Sequence, residues 1–155
     1  EELFSELAKI KPAPAMEVFG MQIKPGFDRY ISKMAEAGVD RVRLGIESGS
    51  PRERASMQKA KFDNDLAVAF VKELAAHRIQ TLAQFIFCYP DQTEDDRQQT
   101  LALMNRINRE CDPALVKHNW YKFVVYLGKE EFFLKQYDPC ERCRLIPSLT
   151  SEQLP

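Results

Sequence analysis

The 155-residue sequence has no long apolar run and almost no net charge. No apolar stretch approaches the roughly 20 residues that a membrane-spanning helix needs, and the acidic, amphipathic segment Glu1–Leu7 is not a signal peptide. A formal net charge of −1 gives no electrostatic basis for binding nucleic acid or an anionic membrane surface. We therefore expect a cytoplasmic protein with neither kind of partner.

Cysteine is also scarce, with four residues at positions 88, 111, 140 and 143. Only Cys140 and Cys143 have the spacing of a metal-binding pair, and no second Cys or His pair lies near them in the sequence to complete a site. Because nothing marks the chain as secreted, reduced thiols are expected in place of disulfides. We interpret Cys88 and Cys111 as small buried apolar side chains and predict no metal site.

The hydrophobic pattern predicts one core built from alternating strands and helices. Strands are expected at Met16–Ile23, Val39–Ile46, Ile79–Phe87 and Leu115–Leu127, and helices at 1–10, Phe27–Ala37, Pro51–Met57, Asn64–His77 and Thr93–Glu110. Elements in this order form a parallel sheet with helices outside it. Four strands are too few to close a barrel, so the predicted fold is α/β, a partial (β/α) barrel of about four parallel strands with helices on the outer face.

Two of these strands end abruptly in polar turns that contain Gly or Pro. The strand from Val39 runs into Gly-Ile-Glu-Ser-Gly-Ser at residues 45–50, and the strand from Ile79 runs into Cys-Tyr-Pro-Asp-Gln-Thr-Glu at residues 88–94. Folds of the α/β class bind their ligands at the carboxyl ends of parallel strands. The two turns are therefore the predicted ligand site.

Three polar residues near strand ends are candidates for facing that ligand. The twofold period of a strand places Glu47 on the same side as Gly45, and a carboxylate suits two vicinal hydroxyl groups. Gln84 lies in an otherwise apolar strand with the parity of a barrel-facing residue, and Gln22 has the analogous place on the first strand. A buried amide or carboxylate must have hydrogen-bond partners, so each of the three either contacts a ligand or belongs to a structural network.

The turn itself has two interpretations. Gly45 and Gly49 allow a ligand to approach the backbone closely, and the N–H groups around Ser48 and Ser50 suit an anionic or carbonyl group. An ordinary strand-to-helix turn needs the same residues, and both interpretations stay open.

At these two turns the sequence resembles the radical S-adenosylmethionine (SAM) superfamily, particularly the branch that often carries a cobalamin-binding domain. The resemblance is carried by Ala37–Gly38, by residues 42–50 and 85–87, and by Pro90 and residues 92–95. It holds in order as well as in motif, over roughly residues 1–128. The sequence departs from the family pattern at Cys88 and Asp91, where the family usually has Gly.

The resemblance implies a role in SAM binding for each candidate residue. Glu47 would approach the ribose, and Lys59 would meet the SAM carboxylate. Gln22 and Gln84 would contact the ribose or adenine. The remaining implied contacts are the turn residues Gly45, Ser48, Gly49 and Ser50 and the backbone of Cys88, Tyr89 and Pro90, which would lie along the adenine.

The resemblance also points to something the sequence lacks. The superfamily holds its [4Fe–4S] cluster with a Cys-x3-Cys-x2-Cys loop, and no such triplet is present. We therefore interpret residues 1–128 as the carboxyl-terminal part of a radical SAM (β/α)6 barrel and residues 129–155 as an extension with a Cys-x2-Cys pair. A missing amino-terminal part would supply the cluster, so this chain alone should be inactive.

The implied parent is an enzyme that cleaves SAM reductively and carries out radical chemistry on a small-molecule or peptide substrate, with cobalamin possible as a further cofactor. Residues 117–121, on the last strand, would form part of the substrate wall or of the core. Two rival interpretations remain: a degenerate, non-catalytic barrel that acts as an interaction module, and a phosphate-binding (β/α) enzyme that uses Ser48–Gly49–Ser50 as an anion site.

Overall fold

A computed structural model describes residues 2–11, 15–59 and 62–123. Its strands are β1 Met16–Gln22, β2 Val39–Glu47, β3 Gln80–Phe87 and β4 Val116–Lys122. Its helices are α1 Glu2–Leu7, α2 Ile31–Glu36, α3 Pro51–Ser56, α4 Asn64–Ala76 and α5 Glu94–Glu110, with a single 3-10 turn at Asp28–Tyr30 before α2. The proposed extension at 129–155, with Cys140 and Cys143, lies outside the described residues.

The described strands form one parallel sheet in the order β1-β2-β3-β4. This confirms the predicted α/β class and the partial (β/α) barrel. Strands and helices fall within a few residues of their predicted positions, because the apolar periods that define them are strong. The predicted helix at Phe27–Ala37 begins instead with the 3-10 turn, and the predicted strand at Leu115–Leu127 ends at Lys122, with residues 124–127 outside the described part of the chain.

Local sequence explains where the elements begin and end. Ser50, Asp63 and Thr93 cap α3, α4 and α5 by accepting a backbone N–H with a side-chain oxygen. Thr93 and Asp96 complete a capping box at the start of α5. Gly38, at φ +96°, provides the left-handed residue that lets the chain turn from α2 into β2.

The helices pack against one face of the sheet. Alternate residues of β2, namely Val42, Leu44 and Ile46, are fully buried there with Phe85 of β3. The helical side of the core comes from Met34, Phe70, Val71, Leu74 and Ile107, among others. Because strand residues alternate between faces, the other face carries the polar residues of each strand. Within the described part of the chain, no helix has the length and apolar character needed to cross a membrane.

Candidate functional site

Four residues line up across the face of the sheet opposite the helices. Gln22 of β1 pairs with Gly45 of β2, Gly45 pairs with Gln84 of β3, and Gln84 pairs with Asn119 of β4. Residues in register on parallel strands project from the same side. The predicted convergence of Gln22 and Gln84 on one face near the carboxyl ends of the strands is therefore correct, and Asn119 extends that row.

Glu47 projects over the glycine in the middle of this row. The β2–β3 register shifts between Gly45 and Glu47, and Glu47 has φ +69°, a left-handed conformation that costs a side-chain-bearing residue free energy. Its side chain folds back, so that a Cβ added to Gly45 would lie 2.8 Å from Glu47 Oε1. Gly45 thus leaves room for the carboxylate of Glu47.

Lys59 holds that carboxylate in place. Its Nζ lies 3.1 Å from Glu47 Oε1, and the Glu47 side chain is only 14% exposed while that of Lys59 is 41% exposed. Two residues predicted separately as ligand contacts are thus ion-paired with each other. A carboxylate next to an ammonium group suits a ligand that carries hydroxyl groups as well as a charged group.

Tyr121 joins the amides at the other end of the row. Its hydroxyl oxygen accepts from Gln84 Nε2 and from Asn119 Nδ2, each at 3.3 Å. These bonds are long and partly exposed, and they leave the amide oxygens of Gln84 and Asn119 available to a further donor. Residues 117–121 are therefore divided: Asn119 and Tyr121 belong to this face, whereas His118 turns toward α5, where its Nε2 lies 2.6 Å from Asn108 Oδ1.

The amino-terminal end of the same face carries a separate charged cluster. Arg43 Nε donates to Glu17 Oε1 at 2.6 Å, and the Arg43 guanidinium lies 4.3 Å from the centre of the Phe19 ring. Arg41 Nε donates to Gln80 Oε1 at 2.9 Å. These side chains satisfy one another, so we assign them to the structure of the sheet.

Ser48, Gly49 and Ser50 do not face this side of the sheet. All three are buried, and α5 covers them so closely that a Cβ on Gly49 would lie 2.4 Å from Gln99 O and 2.6 Å from Thr100 Cα. The Gly49 N–H donates to Thr100 Oγ1, and the Ser50 N–H donates to Ser48 Oγ. The prediction that this turn presents its N–H groups to a ligand is therefore corrected, and the strand-to-helix interpretation is right.

The buried turn belongs to a polar network that links it to the start of α5. Asp96 accepts from Ser50 Oγ at 2.6 Å, from the Thr93 N–H at 2.8 Å, from Thr93 Oγ1 at 2.6 Å, and from the guanidinium of Arg52. Burial alone would raise the pKa of the Asp96 carboxyl, but the hydrogen bonds from Arg52, Ser50 and Thr93 outweigh burial and hold this pKa well below its ordinary value. Asp96 is thus an ionised anchor between the two turns.

Glu53 and Gln92 make a second link between the turns. Glu53 is buried, and its two carboxylate oxygens accept from Ser48 Oγ at 2.5 Å and from Gln92 Nε2 at 2.7 Å. Gln92 Oε1 in turn accepts the Cys88 N–H at 2.9 Å. Burial raises the pKa of Glu53, an effect that the hydrogen bonds from Ser48 and Gln92 oppose.

Arg54 of α3 and Asn64 of α4 also hold the first turn. The Arg54 guanidinium donates to Ser48 O at 2.5 Å, to Asn64 Oδ1 at 2.9 Å and to Phe62 O at 3.1 Å, and Asn64 Nδ2 donates to Gly49 O at 2.9 Å. Burial lowers the pKa of Arg54. The turn is therefore held by side chains from three helices, which explains why so many polar residues are buried there.

The second turn departs from glycine at two left-handed positions. Cys88 has φ +59° and Asp91 has φ +63°, so both side chains stand where the backbone favours glycine. Cys88 is partly exposed, so its interpretation as a buried side chain is wrong, whereas Cys111 is buried as expected. Tyr89 is buried, with its ring 4.9 Å from that of Phe123, and Pro90 is half-buried.

The network around Glu53, Gln92, Asp96 and Thr100 was not anticipated from the sequence. One part of it had a signal, because Thr93-x-x-Asp96 at the start of an apolar-periodic helix is a capping-box pattern. Glu53 and Thr100 gave none, since a polar residue in a helix is normally expected to face water. Their burial depends on the two turns meeting, which is a tertiary fact.

Comparison with known proteins identifies the family. The family model of the Radical SAM superfamily matches residues 1–104. The chain belongs to the radical SAM superfamily. No curated protein sequence matches it.

Two solved radical SAM structures are similar in fold. One is the radical S-adenosylmethionine methyltransferase TsrM from Kitasatospora setae with cobalamin and a [4Fe-4S] cluster bound, at 13% identity over 78% of this chain and 24% of TsrM, with a TM-score of 0.64. The other is coproporphyrinogen III oxidase (HemN) from Escherichia coli, a radical SAM enzyme, at 13% identity over 69% of this chain and 24% of HemN, with a TM-score of 0.56. The chain thus spans about a quarter of the length of each, and the likeness establishes the fold.

The two cofactors of the radical SAM superfamily fit this chain differently. For SAM, the open face supplies an ion-paired carboxylate, two amide side chains and a glycine that leaves room above the sheet. For the cluster, the sequence holds no triplet of closely spaced cysteines, and the described residues contain no group of His, Cys, Asp or Glu that could hold a metal ion. The residues present fit SAM and do not fit the cluster.

Proposed function

We propose that this chain supplies part of the SAM site of a radical SAM enzyme. The observation that carries the proposal is the aligned row Gln22–Gly45–Gln84, with the Glu47 carboxylate held over Gly45 by Lys59 at the carboxyl ends of the strands. Glu47 would accept from the ribose hydroxyls, and Lys59 would pair with the carboxylate of the methionine part. Gln84, whose amide oxygen is available, would accept from the ribose or the adenine amino group.

The backbone around Cys88, Tyr89 and Pro90 would form the wall along the adenine. Cys88 and Tyr89 follow β3 directly and therefore lie at the same edge of the sheet as Glu47. The Cys88 side chain stands where relatives usually have glycine, so we expect this wall to be shaped differently from theirs. Asn119 and Tyr121 would extend the site toward a small-molecule or peptide substrate.

The whole enzyme would use this site for reductive SAM cleavage and radical chemistry on its substrate. Because the cluster does not fit this chain, the chain would supply SAM contacts and part of the substrate cavity. Another part of the same protein would hold the cluster. A cobalamin-dependent reaction remains part of the proposal on one ground, the likeness in fold to a methyltransferase that holds cobalamin.

The test is SAM affinity, measured by equilibrium dialysis of the 155-residue chain with labelled SAM. Glu47→Ala should weaken binding by about 1–3 kcal/mol, because the ribose hydroxyls lose their acceptor. Glu17→Ala is the matched control, since Glu17 is a carboxylate on the same face but is bound to Arg43 at the other end. Equal affinities for wild type and Glu47→Ala would contradict the assignment of Glu47.

A thermal melt with and without each compound decides between the rival functions. Stabilisation of the chain against heat by SAM, and not by a phosphate ester such as ribose 5-phosphate, is expected because ligands stabilise the state they bind. The phosphate interpretation has lost its support, since the N–H groups of Gly49 and Ser50 are buried and bonded within the protein. No response to either compound would favour a non-catalytic interaction module.

A further inference from the structure

A chain of three hydrogen bonds runs between the two turns at the edge of the proposed SAM site. The Cys88 N–H donates to Gln92 Oε1 at 2.9 Å, Gln92 Nε2 donates to Glu53 Oε1 at 2.7 Å, and Ser48 Oγ donates to Glu53 Oε2 at 2.5 Å. Ser48 is the residue after Glu47, and Cys88 begins the turn proposed to lie along the adenine. The two ends of this chain are therefore next to the two groups that would contact the ligand.

Gln92 and Glu53, the two central side chains of this series of hydrogen bonds, each make two bonds. Gln92 accepts with its oxygen and donates with its nitrogen, and Glu53 accepts with both oxygens, so neither residue can rotate without losing a bond. Glu53 is 1% exposed, which means that water cannot replace a lost partner. Such a pair fixes a distance between two backbone segments.

The other contacts between the turns do not reach the Cys88 peptide. Ser50 and Arg52 bind Asp96, and Gly49 binds Thr100, which ties α3 and its turn to the first turns of α5. Two further bonds join α3 to the second turn, from Arg52 Nη2 to Asp91 O at 2.7 Å and from the Tyr89 hydroxyl to Ser56 O at 3.4 Å, and neither involves the Cys88 N–H. The Cys88 peptide lies before α5, at the end of β3, and has a left-handed φ that its own side chain does not favour. The carbonyl of the same peptide, Phe87 O, accepts from the Phe123 N–H at 2.8 Å, so Gln92 holds the N–H side of this peptide.

We infer that Gln92 and Glu53 are positioning residues of the SAM site, which hold the Cys88–Tyr89 backbone at a set separation from Glu47. The inference rests on the proposed function, since it assigns a role at that same site. Neither residue touches the ligand. They act through the Cys88 peptide on one side and the Glu47–Ser48 peptide on the other.

Four variants of the 155-residue chain test the inference. Gln92→Ala removes both bonds of the side chain. Gln92→Glu keeps an acceptor for the Cys88 N–H but sets a second carboxylate against Glu53. The double variant Glu53→Gln with Gln92→Glu exchanges the amide and the carboxylate. The amide at position 53 can then donate to the carboxylate at position 92, which still accepts the Cys88 N–H. Ile107→Val, a change in the buried face of α5, is the control for a modest loss of stability alone.

The readouts are SAM dissociation constants from equilibrium dialysis and the amide resonance of Cys88. Gln92→Ala and Gln92→Glu should each bind SAM about tenfold more weakly and shift the Cys88 amide. In the first variant the Cys88 N–H loses its acceptor, and in the second repulsion by Glu53 displaces the new carboxylate from that N–H. The exchanged pair should bind within about twofold of wild type and return the resonance toward its original position, since pairs in contact are not additive. Ile107→Val should bind like wild type.

The two proposals fail in different ways. Wild-type binding that Gln92→Ala and Gln92→Glu leave unchanged would overturn the positioning role and leave the SAM site standing. Weakened binding that the exchanged pair does not recover would also overturn it, because the donor and acceptor geometry would then not be what matters. Absence of SAM binding by the wild-type chain would overturn the proposed function, and this inference with it.

Discussion

The two ends of a single motif serve different purposes in this protein. Gly45 and Glu47 face the open side of the sheet, where polar groups lie near solvent and retain free acceptors. Gly49 and Ser50, only a few residues later, are buried beneath α5 with every N–H bonded within the protein. We therefore expect substitutions in the open row to leave the sheet folded, whereas the turn at Ser48 and Ser50 is buried in the protein. Polarity in a sequence motif therefore does not by itself identify a ligand contact.

The sharpest test of this difference exchanges each glycine for alanine. Gly49→Ala should destabilise the protein by about 3 kcal/mol or more, because the new Cβ meets the backbone of Gln99 and Thr100 at 2.4–2.7 Å and neither can rotate away. Gly45→Ala should fold, since its Cβ meets the movable end of the Glu47 side chain at 2.8 Å. Urea denaturation of both variants makes the measurement. Equal losses of stability would show that the two regions are not distinct.

A second test compares two carboxylates. Asp96→Asn should cost about 3 kcal/mol at pH 7, because it disrupts a buried anion that accepts five hydrogen bonds. Glu17→Gln, on the open face, should cost less than about 1 kcal/mol, as expected for a partly exposed ion pair. The free energy of unfolding of each variant decides the matter. A larger loss for Glu17→Gln would reverse the proposed division of the molecule.

Acid should reduce the difference in stability between wild type and Asp96→Asn. The folded pKa of Asp96 lies below its unfolded value, so its ionisation stabilises the fold above the ordinary Asp pKa, and this contribution is lost as pH falls toward the folded pKa. The stability difference between wild type and Asp96→Asn should therefore shrink from pH 6 to pH 3. A difference that is constant over this range would mean that Asp96 is not held ionised by its partners.

Glu53 should show the opposite dependence on pH. Burial raises its folded pKa above the ordinary value, so its contribution is complete below that value and is lost as pH rises through the folded pKa. Gln has no charge to bury, so the stability of Glu53→Gln relative to wild type should be higher at pH 7 than at pH 4. At pH 7 the free energies of unfolding of the two proteins should lie within about 1 kcal/mol of each other. If the stability of Glu53→Gln relative to wild type were lower at pH 7 than at pH 4, Glu53 would be stabilised as an anion.

The sequence predicted the fold and the open row well, and for a common reason. Strand period places Gln22 and Gln84 on one face, and four parallel strands in chain order bring their carboxyl ends together. Glu47 lies over Gly45 through a register shift and a left-handed φ that the period does not predict. The burial of Ser48 and Ser50 was not predictable in this way. Their partners, such as Thr100, are about fifty residues away, and only the packing of α5 over the turn shows that the hydroxyls are satisfied internally.

The smallest expected effect concerns the two positions where this chain has a side chain in place of the family's usual glycine. Cys88→Gly should stabilise the protein by about 0.5–1 kcal/mol, because relief of a left-handed φ outweighs the extra entropy of glycine in the unfolded chain. Asp91→Gly should change stability little, since Asp tolerates the left-handed region better than most residues. Thermal melts of both variants measure this difference. If Cys88→Gly were destabilising, the Cys88 side chain would have to make packing contacts worth more than the strain, and the turn at residues 88–91 would then be built around that thiol.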